Sequence, residues 1–186
     1  IKLELKLLAD VALIGFPNVG KSTLISVISE ARPKIADYDF TTLVPNLGVV
    51  DVDENSFVVA DIPGLIEKSS EGKGLGIQFL KHIERTHSFV HLIDCSMCTQ
   101  AFEAYENYVI IRSELENFNP LLLSKKEIVV LTKIDSMTQE EINKFKNFFE
   151  NQLDKRVLPL SAVSGKNIEQ LKFLMLETVK KRTPEK

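Results

Sequence analysis

Val11-Ala12-Leu13-Ile14-Gly15-Phe16-Pro17-Asn18-Val19-Gly20-Lys21-Ser22 runs from four apolar residues into the pattern G-x-x-x-x-G-K-[ST]. The apolar run suits a strand buried on both faces, and Ser22 to Ser29 reads as the helix that follows. That strand–loop–helix context is the one in which such a loop cradles phosphate. Glycines let the backbone close around phosphate oxygens, and successive N–H groups then point inward as a nest. The helix start adds its partial positive charge. Gly15 through Ser22 are therefore expected to wrap a nucleotide's phosphates. Lys21 would reach the β- and γ-phosphates, and Ser22 would bind Mg²⁺ through its hydroxyl. Both side chains are expected to face ligand rather than core. An ordinary strand-to-helix turn is the alternative, and the flanking elements argue against it.

Further along the chain, apolar runs alternate with helical patterns, which predicts a layered α/β domain around a mostly parallel sheet. Leu47–Val52 and Phe57–Ala60 flank Asp53-Glu54-Asn55-Ser56 and read as a hairpin, the one antiparallel pair. Phe89–Ile93, Glu127–Leu131 and Val157–Leu160 complete six strands. Ala101–Phe118 reads as a helix with Phe102, Tyr105, Val109 and Leu115 inward. Thr138 and Glu141 form a capping box ahead of Ile142, Phe145, Phe149 and Leu153. A last helix starts at Asn167, with Ile168, Leu171, Leu174 and Met175 facing the core. The segments 32–46 and 63–75 are long for connections in a compact domain, and long connections are usually functional.

Three further signals sit at strand ends. Asp61-Ile62-Pro63-Gly64 follows Phe57–Ala60, where Asp61 would support Mg²⁺ and the Gly64 N–H would meet the γ-phosphate. Thr132-Lys133-Ile134-Asp135 follows Glu127–Leu131. A carboxylate at Asp135 can accept from guanine N1–H and its exocyclic amine, a donor pair that adenine lacks, so it selects GTP over ATP. Lys133 would lie along the base plane with its stem. Ser161-Ala162-Val163 follows the last strand, and the Ala162 N–H could donate to guanine O6. All four signals fall at carboxyl ends of strands, which is where open α/β sheets bind ligands.

Composition bounds the rest. The chain has 186 residues, room for one domain, with 23 basic and 26 acidic side chains and a net charge of −3. No broad basic face is built in, so DNA binding is not expected, while a local RNA contact stays open. No apolar run approaches the roughly 20 residues of a membrane span. Two cysteines suit a reducing compartment, and a cytoplasmic monomer is expected. Cys95 and Cys98 form a C-x-x-C without a second pair, too little for a zinc site. His82, His87 and His91 lack metal-site spacing. The Lys180-Lys181-Arg182 run reads as a solvated helix end.

Lys34-Ile35-Ala36-Asp37-Tyr38-Asp39-Phe40-Thr41-Thr42-Leu43-Val44-Pro45-Asn46-Leu47-Gly48-Val49-Val50 resembles the first switch of the Obg family of ribosome-associated GTPases. Asp61-Ile62-Pro63-Gly64-Leu65-Ile66-Glu67, continuing through Glu71-Gly72-Lys73-Gly74-Leu75-Gly76 to His82-Ile83-Glu84-Arg85-Thr86, resembles its second. The resemblance implies a Ras-like P-loop GTPase domain, a three-layer α/β fold with a six-stranded, mainly parallel sheet and helices on both faces. It implies a Mg²⁺-dependent hydrolase cycling between GTP and GDP and acting on the large ribosomal subunit. Thr42 matches the threonine that coordinates Mg²⁺ and senses the γ-phosphate, and Phe40, Thr41, Thr42, Leu43 and Val44 would surround the nucleotide. Such a loop is released on hydrolysis, an order–disorder switch.

Departures from the family pattern are informative. The family's N-terminal glycine-rich domain is absent, and the chain opens on Ile1 rather than Met, as expected of a fragment. Thr132 stands where Asn is commoner, and its hydroxyl can still tie the phosphate loop to the base loop. Leu65 stands where many Ras-like GTPases carry a water-orienting Gln, so slow intrinsic turnover is expected. Asn18 could hold K⁺ beside the phosphates, as in some GTPases with this Asn. Two rivals stay open at this point: an ATPase of the same superfamily, and a GTP-dependent scaffold whose hydrolysis is incidental.

Overall fold

The computed structural model describes residues 9–29, 46–61 and 83–180. Strands β1 (Val11–Ile14), β2 (Asn46–Val52), β3 (Asn55–Asp61), β4 (Ser88–Asp94), β5 (Lys126–Thr132) and β6 (Val157–Pro159) are joined, among the described residues, with four α-helices. These are α1 (Lys21–Ile28), α2 (Ala101–Phe118), α3 (Gln139–Leu153) and α4 (Ile168–Lys180). The sheet order is β2-β3-β1-β4-β5-β6. Among the described strands, only β2 and β3 pair antiparallel. The strand order reverses direction at β1, so the crevice for a ligand opens at the carboxyl ends beside β1.

Side-chain alternation splits the core between the two faces of the sheet. Val11 and Leu13 of β1 pack with Val90, Val130, α1 and α4. Ala12 and Ile14 point the other way, toward Phe89 and Ile111 and Leu115 of α2. A third cluster joins Ile93, Val129 and Leu131 to α2 and α3 through Tyr108, Phe145 and Phe149. Helices on both faces thus follow from strands that are apolar on both faces.

The hairpin turns more tightly than its composition suggests. Val52 pairs with Asn55, so Asn55 and Ser56 belong to β3 and only Asp53 and Glu54 make the turn, with Asp53 at φ 53°. Gly48 of β2 lies against α1, where a Cβ would meet Ile25 Cγ2 at 3.0 Å. The inward face of α2 also differs from the expected one. Ala104, Tyr108, Ile111 and Leu115 are buried, whereas Phe102 and Val109 are exposed. Ala101, Ala104 and Tyr108 pack with Ile93 and Val129, and Ile111 and Leu115 pack with Phe89, so that stripe faces the sheet and Phe102 and Val109 lie off it. In α4, Leu176 joins the buried set and Leu174 is only half-buried.

The capping box forms as read, with Thr138 and Glu141 exchanging bonds at the start of α3. The sheet's β6 edge is blunted. Val157 N–H donates to Glu150 Oε1 at 3.1 Å, Pro159 C=O accepts from Asn167 Nδ2 at 2.7 Å, and Pro159 has no N–H.

Candidate nucleotide site

The loop after β1 is shaped for close backbone approach. Gly15 sits at φ 149°, Asn18 at 61° and Gly20 at 104°. A Cβ on Gly15 would lie 2.5 Å from Leu92 O, so only glycine lets β1 turn this close to β4. Val19 anchors the loop in the core, Phe16 and Pro17 are half-buried and Asn18 is exposed at the crest. Lys21 corrects one expectation. It does not simply face ligand: it is buried, and Nζ donates to Gly15 O at 3.1 Å and Phe16 O at 2.9 Å. The ammonium folds the loop around itself. A phosphate arriving there meets a loop already formed.

Ser22 Oγ donates to Asp61 Oδ2 at 2.7 Å, so the first residues of α1 and the end of β3 converge as the sequence predicts. A hydroxyl and a carboxylate are hard oxygen donors, the set that Mg²⁺ takes beside nucleotide phosphates. The donor chemistry fits. Phe40, Thr41, Thr42, Leu43 and Val44, and Ile62, Pro63 and Gly64, lie outside the described residues.

On the far side of the loop lies a cavity of about 260 Å³ whose walls include Val19, Gly20, Thr132, Lys133, Asp135 and Ala162. Thr132 is buried, and its hydroxyl lies 3.0 Å from Val19 O and 3.2 Å from Ile93 O. It ties the phosphate loop and β4 to β5, as the Thr-for-Asn reading requires. Ser161 Oγ donates to Asp135 Oδ1 and accepts from Ser164 N–H at 3.1 Å, which fixes the carboxylate toward the cavity wall. Val163 also lines the cavity and is exposed, whereas the Ile134 side chain is buried in the core and serves as a spacer. Sequence reasoning missed Asp94, Ser96 and Thr23. The last two line this cavity, and Asp94 ion-pairs with Lys133. The acid at the end of β4 was the available signal.

Two other features are separate from this site. A groove of about 750 Å³ lies between α3 and α4 along β6, lined by Lys146, Glu150 and Lys166 among others, without a phosphate loop or convergent acids. His91 is buried in β4, with Nδ1 3.0 Å from Glu127 Oε1. Tyr108, Arg112 and Lys155 also donate to that carboxylate. Burial alone would raise the Glu127 pKa, yet the His91 and Lys155 contacts hold it down at about 2. Burial pushes both Cys95 and Cys98 thiols above their ordinary range, which opposes thiolate chemistry.

A lysine-organised loop after β1, an oxygen donor pair beside it and a cavity on its far side lie at the carboxyl ends of a six-stranded, mostly parallel sheet, the architecture of the Ras-like P-loop GTPase fold. Residues 10–133 match a family described as 50S ribosome-binding GTPase, and the chain belongs to that family. It is 55% identical over 183 residues to GTPase Obg of Fervidobacterium nodosum, covering 97% of this chain and 42% of that protein. It is 49% identical over 180 residues to GTPase Obg of Rickettsia bellii, covering 97% of this chain and 54% of that one. The Obg resemblance read from the switch segments is borne out. The chain spans about half the length of these relatives. Among solved structures, the FeoB G-domain from Methanococcus jannaschii superposes with a TM-score of 0.66 at 25% identity, covering 92% of this chain and 98% of that one. Era in complex with MgGDPNP and nucleotides of 16S ribosomal RNA gives 0.63 at 25% identity, covering 95% and 57%.

Proposed function

We propose that this chain is a Mg²⁺-dependent molecular switch that binds GTP, hydrolyses it slowly to GDP and phosphate, and acts in assembly of the large ribosomal subunit. The observation that carries the reading is the pairing of the Lys21-organised loop with the Asp135 carboxylate, held by Ser161, on one crevice. Asp135 accepts from guanine N1–H and N2–H. Lys133 covers a face of the base, and the Ala162 N–H addresses O6. The N–H groups from Gly15 to Ser22 hold the α- and β-phosphates. Lys21 stabilises charge as it develops on the β–γ bridge. Ser22, Asp61 and Thr42 would hold the Mg²⁺, with the Gly64 N–H on the γ-phosphate. A Mg²⁺ held there would offset the negative charge of the phosphates.

Leu65 has no group that can orient water, so turnover without help is slow. Asn18, exposed at the loop crest, would hold K⁺ beside the phosphates and so supply charge to the transition state. Single-turnover hydrolysis is expected to run faster in K⁺ than in Na⁺, and Asn18→Ala to remove the difference. Equal rates in both salts would overturn the cation role and leave a partner acting in trans.

The partner is the large ribosomal subunit, in keeping with the family's description, and the setting is the cytoplasm, with the chain a monomer. No helix among the described residues is long and apolar enough to cross a membrane. The decisive experiment combines calorimetric titration with GTP and ATP, phosphate release, and co-sedimentation of nucleotide-loaded protein with ribosomal subunits. Expected are GTP-selective binding, Mg²⁺-dependent phosphate release, and subunit binding by the GTP form alone. Equal ATP affinity would overturn the guanine reading. Subunit binding indifferent to hydrolysis would favour a scaffold.

A further inference from the structure

β4 ends at Asp94, which lies beside Thr132 in the parallel register of β4 and β5. Its carboxylate acts in two directions. Oδ2 accepts from Lys133 Nζ at 2.6 Å, while Oδ1 accepts from the Ser96 N–H at 2.9 Å and the Ser96 hydroxyl at 2.6 Å. Lys133 and Ser96 both line the base cavity. Asp94 lines the neighbouring cavity under Phe16 and Pro17 instead, so it acts on the base pocket from behind.

The Lys133 backbone is left-handed at φ 58°, which sets the direction in which its side chain leaves the strand end. Four rotatable carbons remain, and a free lysine would spread over many rotamers. The ion pair selects one of them. The Asp94 side chain is 18% exposed and that of Lys133 41%, so the contact is partly shielded from water. Burial alone would raise the Asp94 pKa, but the Lys133 ammonium and the Ser96 donors hold it below the ordinary range. The carboxylate is therefore charged wherever the protein is folded near neutral pH.

We propose that Asp94 is a positioning residue for guanine recognition, holding the Lys133 stem against one face of the base slot and Ser96 at its rim before nucleotide arrives. The inference rests on the guanine-pocket reading above. It explains why an acid outside the pocket sits where a neutral residue would fill the same space. Because the effect falls on the base end, loss of Asp94 should weaken GDP and GTP alike. A charge-assisted contact of this kind gives an expected loss of roughly tenfold in affinity.

The test is calorimetric binding of GDP and GTP to the full chain for the parent, Asp94→Ala, Lys133→Ala and the double variant, with nucleotide-free melting curves alongside. Expected is a roughly tenfold loss for Asp94→Ala, equal for both nucleotides, and a double variant no weaker than Lys133→Ala alone. That non-additivity is the signature of action through Lys133. A residue that merely staples the loop would give additive losses together with a lowered melting temperature. Asp94→Asn keeps an acceptor for Ser96 but replaces the charged acceptor facing Lys133 with an amide donor, so it carries the test if the alanine variant fails to fold. Additive losses, a loss confined to one nucleotide, or unchanged affinity in Asp94→Asn would overturn the proposal. A parent that prefers ATP would instead overturn the pocket reading on which it rests.

Discussion

At the residue scale, two positions carry sharply different kinds of constraint. Asp135 is a chemical requirement. In the proposed pocket, Asp135→Asn keeps one acceptor oxygen but puts an amide donor where the second stood, so one of guanine N1–H and N2–H meets a donor instead of an acceptor. That should cost about 2–3 kcal/mol of GDP affinity and relax discrimination, which competition between GDP and xanthosine diphosphate would reveal. Unchanged GDP affinity would show that the base lies elsewhere. Gly15 is a steric requirement. Its φ of 149° and the 2.5 Å approach to Leu92 O leave no room for a methyl group. Gly15→Ala should destabilise the nucleotide-free protein by about 2 kcal/mol as well as weaken phosphate binding, measured by urea unfolding beside titration. A variant that lost binding but kept full stability would contradict the strain argument.

At the element scale, β4, β5 and α2 are cross-linked by a buried carboxylate. Glu127 gathers bonds from His91, Tyr108, Arg112 and Lys155, and His91 stacks on Tyr108 at 4.8 Å between ring centroids. Acid should therefore loosen this junction. Glu127 is held at about 2 against an ordinary 4.5, so the unfolded chain takes up its proton first. The stability from that carboxylate is full above pH 4.5 and is lost as pH falls toward 2. His91 acts in the same direction. Burial lowers its pKa from 6.5, so the unfolded chain charges it below that pH while the folded chain resists. Stability should begin to decline near pH 6.5 and fall more steeply below 4.5. Glu127→Ala should cost about 3 kcal/mol at pH 7, because it strands partly buried cations. It should also flatten the slope below pH 4.5 in urea unfolding. A variant as stable as the parent would show that the network contributes specificity rather than stability.

For the whole molecule, the proposed site would link nucleotide binding to folding. The crevice is assembled from the ends of β1, β3, β4 and β5 and from the turn after β6, so a ligand there bridges nearly the whole sheet and binds only the folded state. GDP at a hundred times its Kd should add about 2.7 kcal/mol, a rise of roughly 5–10 °C in Tm for a domain of this size. ATP at the same concentration should leave Tm unchanged. Lys21→Ala should abolish the GDP shift and also lower the nucleotide-free Tm by a few degrees, because its ammonium ties Gly15 O and Phe16 O. A nucleotide-free Tm equal to the parent's would mean that the loop holds its shape without the lysine.

The local chemistry was written in the sequence. Residues 15–22, 132–135 and 161–163 carry the motifs from which the proposed phosphate loop and guanine pocket are read, because such motifs depend on backbone conformation and side-chain type over a few consecutive positions. Strand and helix identities were legible for the same reason: continuous apolar runs and the Thr138–Glu141 capping box are local. The α2 face was misread because its apolar residues exceed what one stripe can bury. Only packing against β4 and α3 selected Ala104 and Tyr108 over Phe102 and Val109. Tertiary structure alone decided the rest. Lys133 meets Asp94 across 39 positions of chain, and Glu127 meets His91 across 36. Such pairs exist only once parallel strands are in register, and no local pattern encodes which strand becomes whose neighbour. The motifs are read from consecutive residues, and the register of β4 on β5 decides which side chains meet beside them.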